Sequence, residues 1–454
     1  MKQGNRKDNE MKQYQRWLLI LALLTISLSG ACTQQNQPTP THEPGPPQEP
    51  TLPEEGAMPA QDYLTSNITR VSDPQISQPD LEALVQGNTA FAIELYQLLA
   101  REEGNLFYSP FSISMALAMT YAGARGETAS QMQSALQFSL PEEQLHLAFN
   151  ALDLALENRS NDEQPFELNI TNALWGQYGF DFQPDFLDTL ALNYGAGMHL
   201  VDYAQSEAAR QQINAWVEEQ TKEKIKDLIP EGALNSLTRL VLTNAIYFKA
   251  AWRYPFSEGL TSPAEFDLLD GSEISVETMR VTEIFSYKKA EDYLVVELPY
   301  SDPSLVMTLL VPDEEKFTSF ESDLDADALF ASVENLEPVN MALSLPKFKV
   351  ESSFSLNEAL SALGMSDAFD IDKADFSGMT GTPLLYITSV VHKAFVDVNE
   401  EGTEAAAATG VIMGLKSMPA EPIEVKIDRP FLFLIRDRET GAILFLGRVT
   451  NPAK

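Results

Sequence analysis

The chain has 454 residues, 31 basic and 66 acidic, for a formal charge of −35 at pH 7. That balance excludes nucleic acid and anionic membrane surfaces as main partners, because both attract basic proteins. A single cysteine, Cys32, excludes an intrachain disulfide and a cysteine-based metal centre.

The opening reads as targeting sequence. Lys2, Arg6, Lys7, Lys12 and Arg16 precede the run WLLILALLTISLSG, which is too short to span a bilayer. Residues 1–31 are expected to be a signal peptide, and two processing routes stay open. Ser29 and Ala31 have the small-residue spacing of ordinary signal cleavage. Alternatively, L-S-G-A-C resembles a bacterial lipobox, with Ser29 where an aliphatic residue is usual, and makes Cys32 the lipidated residue. The lone cysteine at this spot favours the lipoprotein. The chain is expected to be exported and held on a bacterial cell surface by a lipid anchor, or secreted to the extracellular space. Proline, glutamine, threonine and glutamate dominate residues 33–61, which predicts an extended, disordered tether. Residues 32–79 are assigned to the lipidated cysteine and tether, with a candidate strand at 68–71, and residues 80–454 to one folded domain.

In chain order, PDLEALVQGNTAFAIELYQLLAREEG has apolar residues at helical spacing, and SPFSISMALAMTYAGARG is a buried helix opened by Ser109-Pro110. ETASQMQSALQFS predicts a short third helix. FELNITNALWGQ and MHLVDY read as strands on either side of a helix at QPDFLDTLALNY. SEAARQQINAWVEEQTKEKIKDLI is one amphipathic helix. Strands then dominate: LTRLVLTNAIYFKAAW, EDYLVVELPY, SLVMTLLVP, VNMALSLPKFKVESSFSL, VVHKAFVDVNE, EPIEVKIDRPFLFLIRD and GAILFLGRVTNP. Helices crowd the first half and strands the second, which predicts an α+β fold with large antiparallel or mixed sheets.

Chemistry of the enzymatic kind finds no support. His42, His146, His199 and His392 form no H-E-x-x-H pattern, and no G-x-S-x-G elbow or phosphate-binding loop occurs. No metal or cofactor is expected. The sequons at Asn67, Asn158 and Asn169 read as chance matches. Residues 126–158 contain no Lys or Arg, which removes a helical platform for a polyanion.

Several segments, in order, resemble the serpin family from about Asp80 to Pro452. They are N-L-F-Y-S-P-F-S-I (105–113), L-T-N-A-I-Y-F-K-A-A-W (242–252) with Pro255-Phe256, L-P-K-F (345–348), V-H-K-A (391–394), E-E-G-T-E-A-A-A-A-T (400–409), D-R-P-F-L-F-L-I (428–435) and G-R-V-T-N-P (447–452). The resemblance implies a single domain of three β-sheets with eight or nine helices and an exposed reactive-centre loop, here about 400–424. It implies a metastable, non-enzymatic, single-use inhibitor that traps a serine protease as a covalent acyl-enzyme when the cut loop inserts into the central sheet. A monomer is expected, with a membrane touched only through the lipid anchor. The alternative is a non-inhibitory binding protein on the same fold.

The loop residues meet the physical demands of insertion. Alternation places Thr403, Ala405, Ala407, Thr409 and Val411 inward, all small or β-branched. Glu404 and Ala406 fall on the outward face, Ala408 completes the alanine run, and no proline lies between 400 and 418. Gly402 supplies freedom where the chain swings. Counting forward from Glu400 at the family's hinge-to-bond spacing reaches Lys416–Ser417, the expected reactive bond. Counting back from Arg429-Pro430-Phe431 gives the same bond with a long loop and one near Pro419–Ala420 with a short loop. Lys416 is the sole basic residue between Lys393 and Lys426, which suits a trypsin-like pocket. Met413, Leu415 and Met418 are the rivals, suiting chymotrypsin-, subtilisin- or elastase-like enzymes, and a cysteine protease of basic preference is a further alternative. By match to the family, Ser109, Ser112, Asn244 and His392 should form a polar cluster where the sheet opens. Trp252 should mark the point where the loop enters, and Lys347 should pair with Glu400, an exposed contact of small worth by itself.

Overall fold

The computed structural model describes residues 62–159, 166–403 and 421–454. The signal segment, Cys32 and the tether to residue 61 lie outside these residues, as do Glu404, Ala405, Ala406, Ala407, Ala408, Thr409, Lys416 and Ser417 of the loop.

The first half runs β1 (Tyr63–Leu64), α1 (Gln78–Leu99), β2 (Leu106–Tyr108), α2 (Pro110–Tyr121), α3 (Gly126–Ala135), α4 (Glu142–Glu157), β3 (Phe166–Gln177), α5 (Pro184–Tyr194), β4 (Met198–Val201), α6 (Ser206–Gln220) and β5 (Leu240–Ala251). Strands then take over with β6 (Ser262–Asp267), β7 (Glu273–Lys289), β8 (Tyr293–Pro299), β9 (Leu305–Pro312), α7 (Phe317–Ser322), α8 (Ala326–Ser332), β10 (Glu337–Pro346) and β11 (Phe348–Ser355). The chain continues through α9 (Asn357–Ala362), α10 (Ser377–Thr380), β12 (Ile387–Val398), β13 (Gly402–Thr403), β14 (Ile423–Lys426), β15 (Phe431–Asp437) and β16 (Ile443–Val449). The class is α+β. The described residues hold ten α-helical segments, of which α7 to α10 span at most seven residues each.

Seven strands form the central sheet in the order β1-β4-β3-β5-β13-β12-β11. The other nine form one continuous network, β14-β10-β7-β8-β9-β15-β16-β2, with β6 on β7. Strand β7 belongs to two parts of it. Its early residues pair with β6, its later ones with β10, and only its last four, Ser286 to Lys289, with β8. The three sheets of the fold are thus two hydrogen-bonded networks, because one long strand is shared.

Helix α2 lies between the networks, against β16 on one side and β3 and β5 on the other. All its residues are buried, which its apolar sequence allows on every face. Ser109 caps it, accepting from Ser112 N at 3.2 Å, and Pro110 occupies the first turn, where a missing N–H costs nothing. On the opposite face of the central sheet, Ile213 and Val217 of α6 pack with Ala173, Trp175, Val241, Ala245 and Val391.

Four features differ from the sequence expectations. Ordered structure begins before Asp80: β1, not a strand at 68–71, pairs antiparallel with β4, and Val71 N donates to Leu192 O. Arg70 fixes this segment by donating to Asn150 Oδ1 at 2.7 Å and to Asp153 Oδ2 at 2.6 Å. These partners lie some 80 residues away, so no local pattern announces them. The helix expected over 206–229 stops at Gln220, because Lys222 and Glu223 take positive φ values of 52° and 62°. Ile225, Leu228 and Ile229 then fold back under α6 and are buried with it. Helix α4 was not anticipated, although Leu145, Ala148, Phe149, Leu152 and Leu156 line one buried side. Strands β6 and β7 escaped notice because charged residues such as Glu273 and Glu277 are interleaved on their exposed face.

Candidate functional site

Two features occupy the middle and one end of the central sheet. The first is a polar row crossing it. Asn244 of β5 stands opposite Asn172 of β3 on one side and His392 of β12 on the other. Each residue interrupts an apolar row on its own strand: Leu168, Ile170 and Leu174 flank Asn172, Leu242 and Ile246 flank Asn244, and Val390 and Ala394 flank His392. Sheet register aligns the three interruptions.

Helix α2 supplies the partners from below. Asn244 Nδ2 donates to Ser112 Oγ at 2.6 Å and to Asn172 Oδ1, while Ser112 Oγ donates to Asn172 Oδ1 at 3.1 Å. His392 Nδ1 contacts Asn244 Oδ1, and His392 Nε2 accepts from Ser109 N at 3.2 Å. With an acceptor facing Nδ1 and a donor facing Nε2, the ring is the neutral tautomer carrying its proton on Nδ1. Burial pushes its pKa down to about 3. Ser109 Oγ donates to Leu444 O at 2.6 Å. The sequence-named residues Ser109, Ser112, Asn244 and His392 are therefore brought together and fully buried. Asn172 was missed, and its place in an apolar row was the available signal.

The second feature is the end of the sheet where the loop departs. Asn399 to Gly402 make a tight turn: Asn399 N donates to Gly402 O at 3.0 Å, and Asn399 Oδ1 accepts from Glu401 N at 3.0 Å. Trp252 N donates to Glu401 O and Phe256 N to Glu400 O, both at 2.9 Å. Trp252 Nε1 donates to Asn399 O at 2.9 Å. The turn delivers β13 into the gap between β5 and β12. Thr403 pairs with Ala250 on one side and Val398 on the other. A Cβ on Gly402 would collide with the Ala250 carbonyl oxygen, so only glycine fits there.

Glu400 accepts from Lys347 Nζ at 2.8 Å and from Thr261 Oγ1 at 2.7 Å. Glu400 is only 7% exposed, so the pair is not the open surface contact expected from sequence. Burial pushes its carboxyl up, but the Lys347 and Thr261 hydrogen bonds outweigh it and hold the group below its usual value. Thr261 and Tyr300, whose hydroxyl meets Thr403, are further residues that sequence did not single out. Among the described residues, no group of three or more His, Cys, Asp or Glu is placed to hold a metal ion.

Comparison with known proteins agrees with this architecture. The profile of the serpin (serine protease inhibitor) family matches residues 86–452. The chain is 41% identical over 385 residues to the leukocyte elastase inhibitor of Homo sapiens, covering 82% of this chain and all of that protein. It is 37% identical to an uncharacterized serpin-like protein of Thermococcus kodakarensis, covering 96% of this chain and 99% of that one. The crystal structure of tengpin, a thermophilic serpin in the native state, superposes with a TM-score of 0.76 at 30% identity, covering 86% of this chain and all of that one. The chain belongs to the serpin family.

Proposed function

We propose that this chain is a single-use inhibitor of serine proteases that traps its target as a covalent acyl-enzyme. The observation that carries this is the position of β13: the first loop residues already sit between the two strands that must part. The sequence that follows, Glu404 to Thr409, has small residues at each inward position and can extend the same strand. In the trapping step the protease's serine oxygen bonds to the carbonyl carbon of the bait residue. The peptide C–N bond breaks, and the leaving amine takes the proton that the serine gave up. The ester then faces two fates, hydrolysis or burial by insertion of the loop. Insertion carries the protease away from its catalytic geometry, and there is no turnover. The protein itself acts as substrate and trap, as a monomer with no cofactor.

We assign the bait to Lys416, with cleavage before Ser417 and a trypsin-like target. The name of the human relative favours a second reading, an elastase-like target cut after Met413, Leu415 or Met418. Incubation with trypsin and with leukocyte elastase, followed by denaturing electrophoresis, separates these. The expected result is a stable band near the summed mass with trypsin, and a released C-terminal peptide that begins at Ser417. A band with elastase alone, or a peptide beginning elsewhere, reassigns the bond. Cleavage by both enzymes without a band makes the chain a non-inhibitory binding protein. For location, we propose export and lipid attachment at Cys32 on a bacterial cell surface. Mass spectrometry of membrane-extracted protein should find the N-terminal cysteine carrying acyl chains; an unmodified residue there means secretion.

A further inference from the structure

Thr403 is fully buried, and its hydroxyl lies 2.8 Å from the hydroxyl of Tyr300. Tyr300 belongs to a different part of the fold, just past the end of β8. Its own position is fixed by a backbone bridge to Trp252 and by donation of its N–H to Leu305 O at 3.0 Å. Its ring stacks on Trp252 with centroids 4.6 Å apart and planes 11° from parallel, and it meets Phe248 edge-on at 5.2 Å. The ring is fully buried, so its hydroxyl has one fixed place. Among the described residues, each hydroxyl finds its side-chain partner only in the other.

A buried hydroxyl without a partner carries a desolvation penalty. Withdrawal of Thr403 from the sheet would strand the Tyr300 hydroxyl in that state. The pair therefore favours the seated position of the loop's first inserted residue over its release. Seating also sets the starting point for insertion, because the backbone of Gly402 and Thr403 is already ordered between β5 and β12. The conformational entropy of placing the first residue has been lost before any protease arrives.

We propose that Tyr300 is a positioning residue that keeps the loop seeded by one residue, so that insertion after acylation extends an existing strand. This rests on the inhibitory reading above. It makes a specific demand: the Tyr300–Thr403 contact should govern how the acyl-enzyme divides between trapping and hydrolysis. It should leave acylation alone, because neither hydroxyl belongs to the bait segment.

The experiment uses the full chain and four variants, Tyr300→Phe, Thr403→Val, the double variant and Thr403→Ser. Three quantities are read: inhibitor consumed per protease trapped, the rate of loop cleavage, and hydrogen exchange of a peptide spanning 399–403 in the free protein. Tyr300→Phe should raise the consumption ratio several-fold, leave the cleavage rate within about twofold, and speed exchange by about tenfold. Thr403→Val should match it, the double variant should be no worse than either, and Thr403→Ser should behave as wild type. An unchanged consumption ratio in Tyr300→Phe, or effects that multiply in the double variant, overturns the proposal. A wild-type chain cleaved without a covalent band overturns the inhibitory reading instead. Exchange keeps the two failures apart, since equal exchange in wild type and Tyr300→Phe overturns the seating contact itself.

Discussion

His392 and Asn244 hydrogen-bond across the parallel seam between β5 and β12, Nδ1 to Oδ1. Ser109 N occupies the other ring nitrogen, so the ring bridges two strands of the sheet and the cap of α2. Asn244→Ala would leave the buried Nδ1–H without its acceptor. The expected loss is about 2 kcal/mol, the penalty for an unsatisfied buried group. Urea unfolding checks this, and an unmoved midpoint would mean that the ring had found another partner.

The same histidine gives the fold an acid sensitivity. Burial lowers His392 to about 3 and His146 to about 4. In the unfolded chain both return to about 6.5, so as pH falls the unfolded state takes up protons first. Stability from the neutral rings is complete above pH 6.5 and drains below it. Each contributes a slope of about 1.4 kcal/mol per pH unit in the window down to its native value. The thermal midpoint should fall steadily from pH 6.5 to pH 4. His392→Gln should start lower at pH 7 and fall less steeply. A flat wild-type curve over that window would contradict the buried neutral rings.

Arg70 ties the segment before α1 to α4 through Asn150 and Asp153. Burial pushes the Asp153 carboxyl up, and Arg70 pulls it partly back. Arg70→Met removes the cation and leaves a mostly buried carboxylate uncompensated, at about 2 kcal/mol near neutrality. Protonation of Asp153 relieves that cost, so the variant should lie closer to wild type at pH 4 than at pH 7. Paired thermal melts at the two pH values test the sign. An equal loss at both would assign Arg70 a packing role alone.

Thr403 has no room to grow, being enclosed by β5, β12 and Tyr300. Thr403→Arg places a guanidinium in that space, where a charge is costly without a partner. The expected outcome is a protein that trypsin still cleaves but that no longer yields the covalent band. Retained trapping would mean that Thr403 does not have to keep its place in the sheet.

Much of this architecture was legible in the sequence because it is written in short-range patterns. The buried helix at Ser109-Pro110 follows from its cap and its apolar run, and the strand Leu240–Ala251 from its β-branched and aromatic residues. The aligned polar row was only half legible. Asn244 and His392 came from family segments, whereas Asn172 was signalled only by its place in an apolar row, and register sets it beside Asn244. The early start of the fold was not legible at all, since Arg70 finds its carboxylate across the chain. The early end of α6 depends on positive φ at Lys222 and Glu223, which residue type does not announce. The exposure of Glu400 was misjudged for a similar reason: its burial comes from the turn at Asn399 packing against Trp252 and Phe256.

Strands β5 and β12 run parallel and are matched over eight residue pairs, while β13 meets both in the antiparallel sense. A strand continuing from Thr403 down that seam would exchange one parallel ladder for two antiparallel ones, whose pairing is slightly more favourable per residue. The seam between β5 and β12 thus holds fewer ladders than it would with a further strand between them. Each residue added in that direction would gain pairing on both of its sides. On the inhibitory reading such a molecule would keep time as well as shape, because completion of the sheet by its own chain, with or without a protease attached, would use up the trap.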